Sequence, residues 1–90
     1  MKANFKQISV EVAFDVFQEL DIAKQVGNFI HANTSDIGLD DIARTIYHSE
    51  GEVDVPDEYI PLIKAIFADK NCNMLAAIKK AILAELDKKE

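Results

Sequence analysis

The residues best suited to chemistry lie in one acidic stretch, from Thr34 to Glu58. It contains eight carboxylates and a single basic residue, Arg44, so it carries a net charge of −7, against −6 for the whole chain. Carboxylates at this density attract divalent cations or the basic surface of another protein. We expect this stretch to dock on a basic partner; the competing interpretation is a solvated surface without a partner. The carboxylates are Asp36, Asp40, Asp41, Glu50, Glu52, Asp54, Asp57 and Glu58.

Three further acids, Glu11, Asp15 and Glu19, follow one another at intervals of four residues. In a helix this spacing places side chains along one face, where like charges lie close together. We predict that these residues form a second acidic surface on the first helix of the chain. This surface would join the acidic stretch in binding a basic partner.

Other kinds of site have little support in the sequence. His31 and His48 belong to no HxxxH or CxxC arrangement, and the residues around Gly38 lack the alternating oxygen ligands of a calcium loop. The single cysteine, Cys72, is more simply interpreted as a capping-region or semi-buried residue than as a nucleophile. We predict no metal site, no cofactor and no catalytic residue, and therefore a protein that is not an enzyme.

Length and composition indicate one globular domain over residues 1–90. Apolar residues make up 49% of the chain and charged residues 29%, a balance typical of folded rather than disordered proteins. One cysteine cannot form an internal disulfide, which favours a reducing compartment. The sequence has no apolar run of signal-peptide or membrane-span length, so a cytoplasmic protein without membrane contact is expected. A pI near 4.8 disfavours nucleic acid as a partner.

The apolar pattern predicts helices along most of the chain. A helix capped by Ser9 is expected first, followed by a second helix over residues 22–30, or alternatively one helix that bends at Leu20 and Asp21. The stripe that indicates the first helix consists of Val10, Ala13, Phe14, Phe17 and Leu20.

The second half of the chain continues the helical pattern. A third helix is expected over residues 39–47, a fourth from Pro61, and a final one over residues 74–90. Residues 52–55 alternate in polarity and predict one very short extended segment, either a connector or the partner of residues 45–48 in a small hairpin. The predicted fold is therefore all-α, a compact irregular bundle of four to five short helices.

Three functions are compatible with this prediction. The favoured one is a small regulator, inhibitor or immunity-type protein that binds a basic partner through its acidic surface. The second is a structural homo-oligomer, such as a homodimer, whose apolar helices pair while the acids provide solubility. The third is a regulator of the helix-turn-helix type, suggested by residues 39–47, although acidic residues 50–58 stand where its recognition helix would be.

Overall fold

The computed structural model of the protein describes residues 1–70 and 72–87, and these form a mixed α+β fold. The elements in chain order are β1 (Lys2–Ala3), β2 (Ile8–Ala13), β3 (Val16–Leu20), α1 (Ala23–Asn33), α2 (Ile37–Tyr47), β4 (Val53–Asp54), a 3₁₀ helix (Asp57–Tyr59), α3 (Ile60–Ala68) and α4 (Ala76–Asp87). The strands form two antiparallel pairs, β1 with β4 and β2 with β3. The predicted all-α bundle is therefore wrong. Residues 88–90, which the predicted final helix included, lie outside the described residues.

Residues 8–20 form a β-hairpin, so the predicted first helix is wrong. β2 and β3 pair in a register that places Ile8 opposite Leu20. Ile8, Val10 and Val12 alternate with polar residues, and β-branched side chains favour the extended conformation. Ile8 and Val10 are both buried where β2 packs against α4. Residues two apart point to different sides of a helix but to one face of a strand, so the strand alone buries both.

The helices α1 and α2 form an antiparallel hairpin, in agreement with the second and third predicted helices. The α2 helix begins after Asp36, whose carboxylate accepts hydrogen bonds from the backbone N–H groups of Gly38 at 2.8 Å and Leu39 at 3.2 Å. This cap satisfies donors that the first turn of a helix leaves unpaired. Gly27 marks a close contact between the two helices.

The short extended segment expected near residues 52–55 is present as β4, but its partner is not residues 45–48. Those residues belong to the end of α2 and the turn after it, while β4 pairs with β1 through Lys2 opposite Asp54 and Ala3 opposite Val53. This pairing holds the N-terminal segment against the centre of the chain.

One hydrophobic core joins the helices and both sheets. Its largest buried side chains include Phe5, Phe67, Ile30 and Ile82, which come from four separate parts of the chain. The α4 helix buries Ile82 and Leu86, whereas Leu75, which precedes the helix, is 71% exposed. No charged or polar residue among those described is buried. The charged groups are therefore available at the surface.

Candidate interaction surfaces

The outer half of the β-hairpin carries the largest set of exposed apolar side chains in the described part of the chain. We call residues 11–19 the hairpin arm. Phe14, at the turn, is 94% exposed and Phe17 is 63% exposed. Beside them, Val12 is 50% exposed and Val16 is 54% exposed. Large apolar side chains grouped in this way are typical of a surface that binds another molecule.

The shape of the arm follows from its turn and from an irregularity in its pairing. The register shifts between Glu11 and Ala13, which leaves Val12 as the extra residue of a β-bulge. The turn places Asp15 at φ 64°, a left-handed conformation that aspartate tolerates better than most residues. Glu11 accepts a hydrogen bond from the backbone N–H of Asp15 at 3.0 Å. The carboxylate of Glu11 thus helps to hold the turn, while the apolar side chains beside it are exposed.

The three acids predicted to share a helix face lie instead on the hairpin arm. Glu11 is directly opposite Phe17 in the register, and Glu19 is on the same strand two residues further. Opposed residues in a sheet share a face, as do alternate residues of one strand. Glu11, Glu19 and Phe17 are therefore on one face, and Asp15 is at the tip. The predicted helical face is therefore wrong, because these residues lie in a β-hairpin.

The carboxylates of the acidic stretch are more dispersed than the sequence indicated, and half of them have partners within the molecule. Asp36 caps α2, and Asp40 accepts a hydrogen bond from His31 Nδ1. Asp54 and Asp57 lie 3.6 and 3.5 Å from the amino group of Met1. The remaining four form no side-chain hydrogen bond or ion pair with another described residue; these are Asp41, Glu50, Glu52 and Glu58.

One part of the acidic stretch does converge, around the phenol of Tyr59. Asp36 raises the pKa of Tyr59 above its ordinary value of 10.0, with smaller contributions from desolvation, Glu58 and Asp41. Negative charges near a phenol disfavour its ionised form. The hydroxyl also covers Gly38 so closely that a β-carbon there would lie 2.2 Å from it. Three carboxylates from the acidic stretch thus act electrostatically on Tyr59, whose hydroxyl lies against the first turn of α2 at Gly38.

A cleft between α1 and α2 brings together residues that the sequence analysis did not connect. It has a volume of about 200 Å³, and Gly27 and Ala43 are among its lining residues. The others are Asn28, His31, Asp40, Arg44, Tyr47 and His48. In the sequence, only the spacing of residues 40 and 44 on one face of α2, with His48 directly after the helix, indicated this site. The position of α1 beside that face is a property of the tertiary structure.

Several other features bear on the kinds of site considered from the sequence. The described residues contain no group of three or more His, Cys, Asp or Glu side chains arranged to hold a metal ion. Within the same residues, no helix has the length and apolar character needed to cross a membrane. Cys72 is a buried free thiol. The segment directly after α2 leads into β4, whereas a helix-turn-helix protein would have its recognition helix there.

The fold and its surfaces define a small α+β protein with a protruding, acid-flanked hairpin arm. Comparison of the chain with models of protein families, with curated proteins and with solved structures gives no match.

Proposed function

We propose that the protein is an interaction module that binds a basic protein partner, with the hairpin arm as its main contact surface. The observation that carries this proposal is the exposure of Phe14 and Phe17 next to three carboxylates. Exposed aromatic residues are common anchors of binding energy at protein interfaces. A partner that fits would present an apolar pocket bordered by lysines or arginines.

The charge of the arm favours a basic partner over a second copy of the chain. Residues 8–20 contain Glu11, Asp15 and Glu19 and no lysine or arginine. Two identical arms would bring like charges together, which opposes association, whereas a basic rim on another protein would orient and accelerate it. The unpartnered carboxylates of the acidic stretch, among them Glu50 and Glu52, would add to this long-range attraction.

Affinity capture with matched variants tests the proposal. Tagged protein is exposed to host lysate at about 50 and about 500 mM salt, where the Debye length falls from about 14 to about 4 Å. We expect a basic protein to be retained at low salt and identified by mass spectrometry. Burial of each Phe at the interface contributes about 1.5–3 kcal/mol. The double variant Phe14→Ser, Phe17→Ser should therefore bind the purified partner at least about a hundredfold more weakly than the wild type.

The matched control is Ile37→Ser, which removes an apolar side chain that is 82% exposed but lies outside the hairpin arm. This variant should retain the partner fully. Equal capture by the arm variant and the wild type would refute the role of the arm. Charge-neutralising substitutions at Glu11 and Glu19 should slow association and reduce its dependence on salt.

Self-association through the same arm is the second candidate function. β2 and β3 form a sheet of two strands, so each has one edge that pairs with no other strand among the described residues. Such edges can pair with another chain. Sedimentation at micromolar concentration separates the two candidates: a dimer that Phe14→Ser disrupts supports self-association, and a monomer supports the basic partner.

A further inference from the structure

The cleft between α1 and α2 brings together basic side chains of an acidic protein. Arg44 is the only arginine in the chain, and His31 and His48 are its only histidines. All three line this one cleft, although they come from separate positions in the sequence. Lys24 adds a further ammonium group, 5.7 Å from the ring centroid of Tyr47. The cleft is therefore a local exception to a net charge of −6.

The single acidic residue among those that line the cleft in the described part of the chain already has a partner. Asp40 accepts a hydrogen bond from His31 Nδ1, and the two side chains form an ion pair when the imidazole is protonated. This contact orients the His31 ring on one wall. It leaves the positive charge of Arg44 without a carboxylate partner among the described residues.

The helix contact below the cleft makes its shape possible. Gly27 has no side chain, and a β-carbon there would lie 2.7 Å from the carbonyl oxygen of Ala43 and 2.9 Å from Cβ of Tyr47. The two helix backbones therefore meet closely at this point. Longer side chains, among them Arg44 and His48, border an open cleft of about 200 Å³. A volume of this size accommodates a small ligand or part of a larger one.

We propose that this cleft binds a small molecule through a carboxylate or phosphate group, with Arg44 as the principal ligand. The planar guanidinium donates two parallel hydrogen bonds to the oxygens of such an anion. The side-chain amide of Asn28 and the imidazole of His48 provide further donors, and Lys24 increases the local positive potential. The cleft shares no lining residue with the hairpin arm, so this proposal is independent of the proposed function.

Titration of the protein with small anions, followed by amide NMR spectra, tests the proposal. The probes are inorganic phosphate, acetate and, as a control for general ionic effects, chloride. We expect saturable shifts at Gly27 and Asn28 with phosphate, acetate or both, in the millimolar range, and no saturable shift with chloride. Saturation by phosphate alone identifies a phosphate group as the ligand, and saturation by acetate alone identifies a carboxylate.

Substitution of the principal ligand gives the decisive comparison. Arg44→Gln should weaken binding by about tenfold or more, because hydrogen bonds to charged groups are among the stronger ones. Lys80→Gln makes the same change in charge at an exposed position on α4 and should leave binding unchanged. If Arg44→Gln does not fold, Lys24→Gln is measured instead, and its affinity for the anion should be several-fold lower than that of the wild type.

Two results would overturn the proposal. One is that phosphate and acetate produce only the unsaturated shifts seen with chloride. The other is that the affinity of the folded Arg44→Gln protein equals that of the wild type.

Discussion

Gly27 of α1 and Ala43 of α2 bring two helix backbones into direct contact. A β-carbon at position 27 would lie 2.7 Å from the carbonyl oxygen of Ala43, which is closer than such atoms can approach. The obstructing atom belongs to the backbone of a helix and cannot rotate away. The antiparallel pair of helices, and with it the cleft between them, therefore depends on glycine at this position.

Replacement of this glycine should destabilise the protein although it improves helix propensity. Alanine favours a helix over glycine by about 1 kcal/mol. We expect Gly27→Ala nevertheless to lower the free energy of unfolding, because overpacking typically costs about 1–3 kcal/mol. Urea denaturation followed by circular dichroism measures the change. Gln25→Ala, at an exposed position of the same helix, should be neutral or slightly stabilising, and a stabilised Gly27→Ala protein would contradict the close contact.

The cap at the start of α2 gives a second prediction. Asp36→Ala should reduce the free energy of unfolding by about 1 kcal/mol, because the N–H groups of Gly38 and Leu39 lose their acceptor. Asp36→Asn keeps a side-chain oxygen at the same place and should retain most of the stability. Equal losses in the two variants would show that the charge matters there rather than the hydrogen bonds.

The carboxylates near Tyr59 predict an ionisation at unusually high pH. Tyrosinate absorbance in a Tyr47→Phe background, in which Tyr59 is the one remaining tyrosine, should give a pKa above 10.0. Asp36→Asn removes the carboxylate that contributes most to the raised pKa, while its side-chain oxygen keeps the helix cap. The pKa of Tyr59 should therefore move back toward 10.0. An unchanged titration in Asp36→Asn would contradict the assignment of Asp36.

The same shift determines the sign of a pH effect on stability. Below the pKa of the unfolded chain, near 10, the phenol is protonated in both states, and its contribution to stability is fully present. Above that value the unfolded chain releases the proton more readily than the folded one. The free energy of unfolding should therefore decrease as the pH rises through the higher pKa of the folded state, and less so in Asp36→Asn.

Substitutions in the hairpin arm should change the free energy of unfolding much less than substitutions at the buried base of the same hairpin. Phe14→Ser, at a side chain that is 94% exposed, should change the free energy of unfolding by less than about 0.5 kcal/mol. Val10→Ala, at the buried base, should cost about 1–3 kcal/mol through lost burial and the cavity left behind. Chemical denaturation of both variants makes the comparison. A large loss in Phe14→Ser would mean that this residue serves the fold rather than a partner.

The helical part of the fold could be predicted because its signals are local. The apolar spacing indicated α1 and α2, and the propensities of the last segment indicated α4. The hairpin was missed because Val10, Phe14 and Phe17 fit helical spacing, while the alternation of Ile8 and Val10 with polar residues fits a strand. Burial against α4 decides between the two patterns, and that packing is not a local property.

The candidate surfaces were predictable only in part, for the same reason. Charge can be counted along a chain, so the acidic stretch and the acids near Phe14 were recognised. Whether a carboxylate has a partner within the molecule depends on residues elsewhere in the chain. Asp40 pairs with His31, and Asp54 pairs with the amino group of Met1. The cleft was not recognised because Asn28 and His31 of α1 lie beside Arg44 of α2 only when the two helices pack together.

The pairing of β1 with β4 has a consequence for the order in which the chain assembles. Lys2 and Ala3 must find partners at Asp54 and Val53, and the N–H of Asn4 donates at 2.8 Å to Glu85, 81 positions away. Contacts over such separations cost more loop-closure entropy than those within the α1–α2 hairpin and form more slowly. During translation the first strand is made before either partner exists, so it must wait until β4 and α4 have emerged from the ribosome.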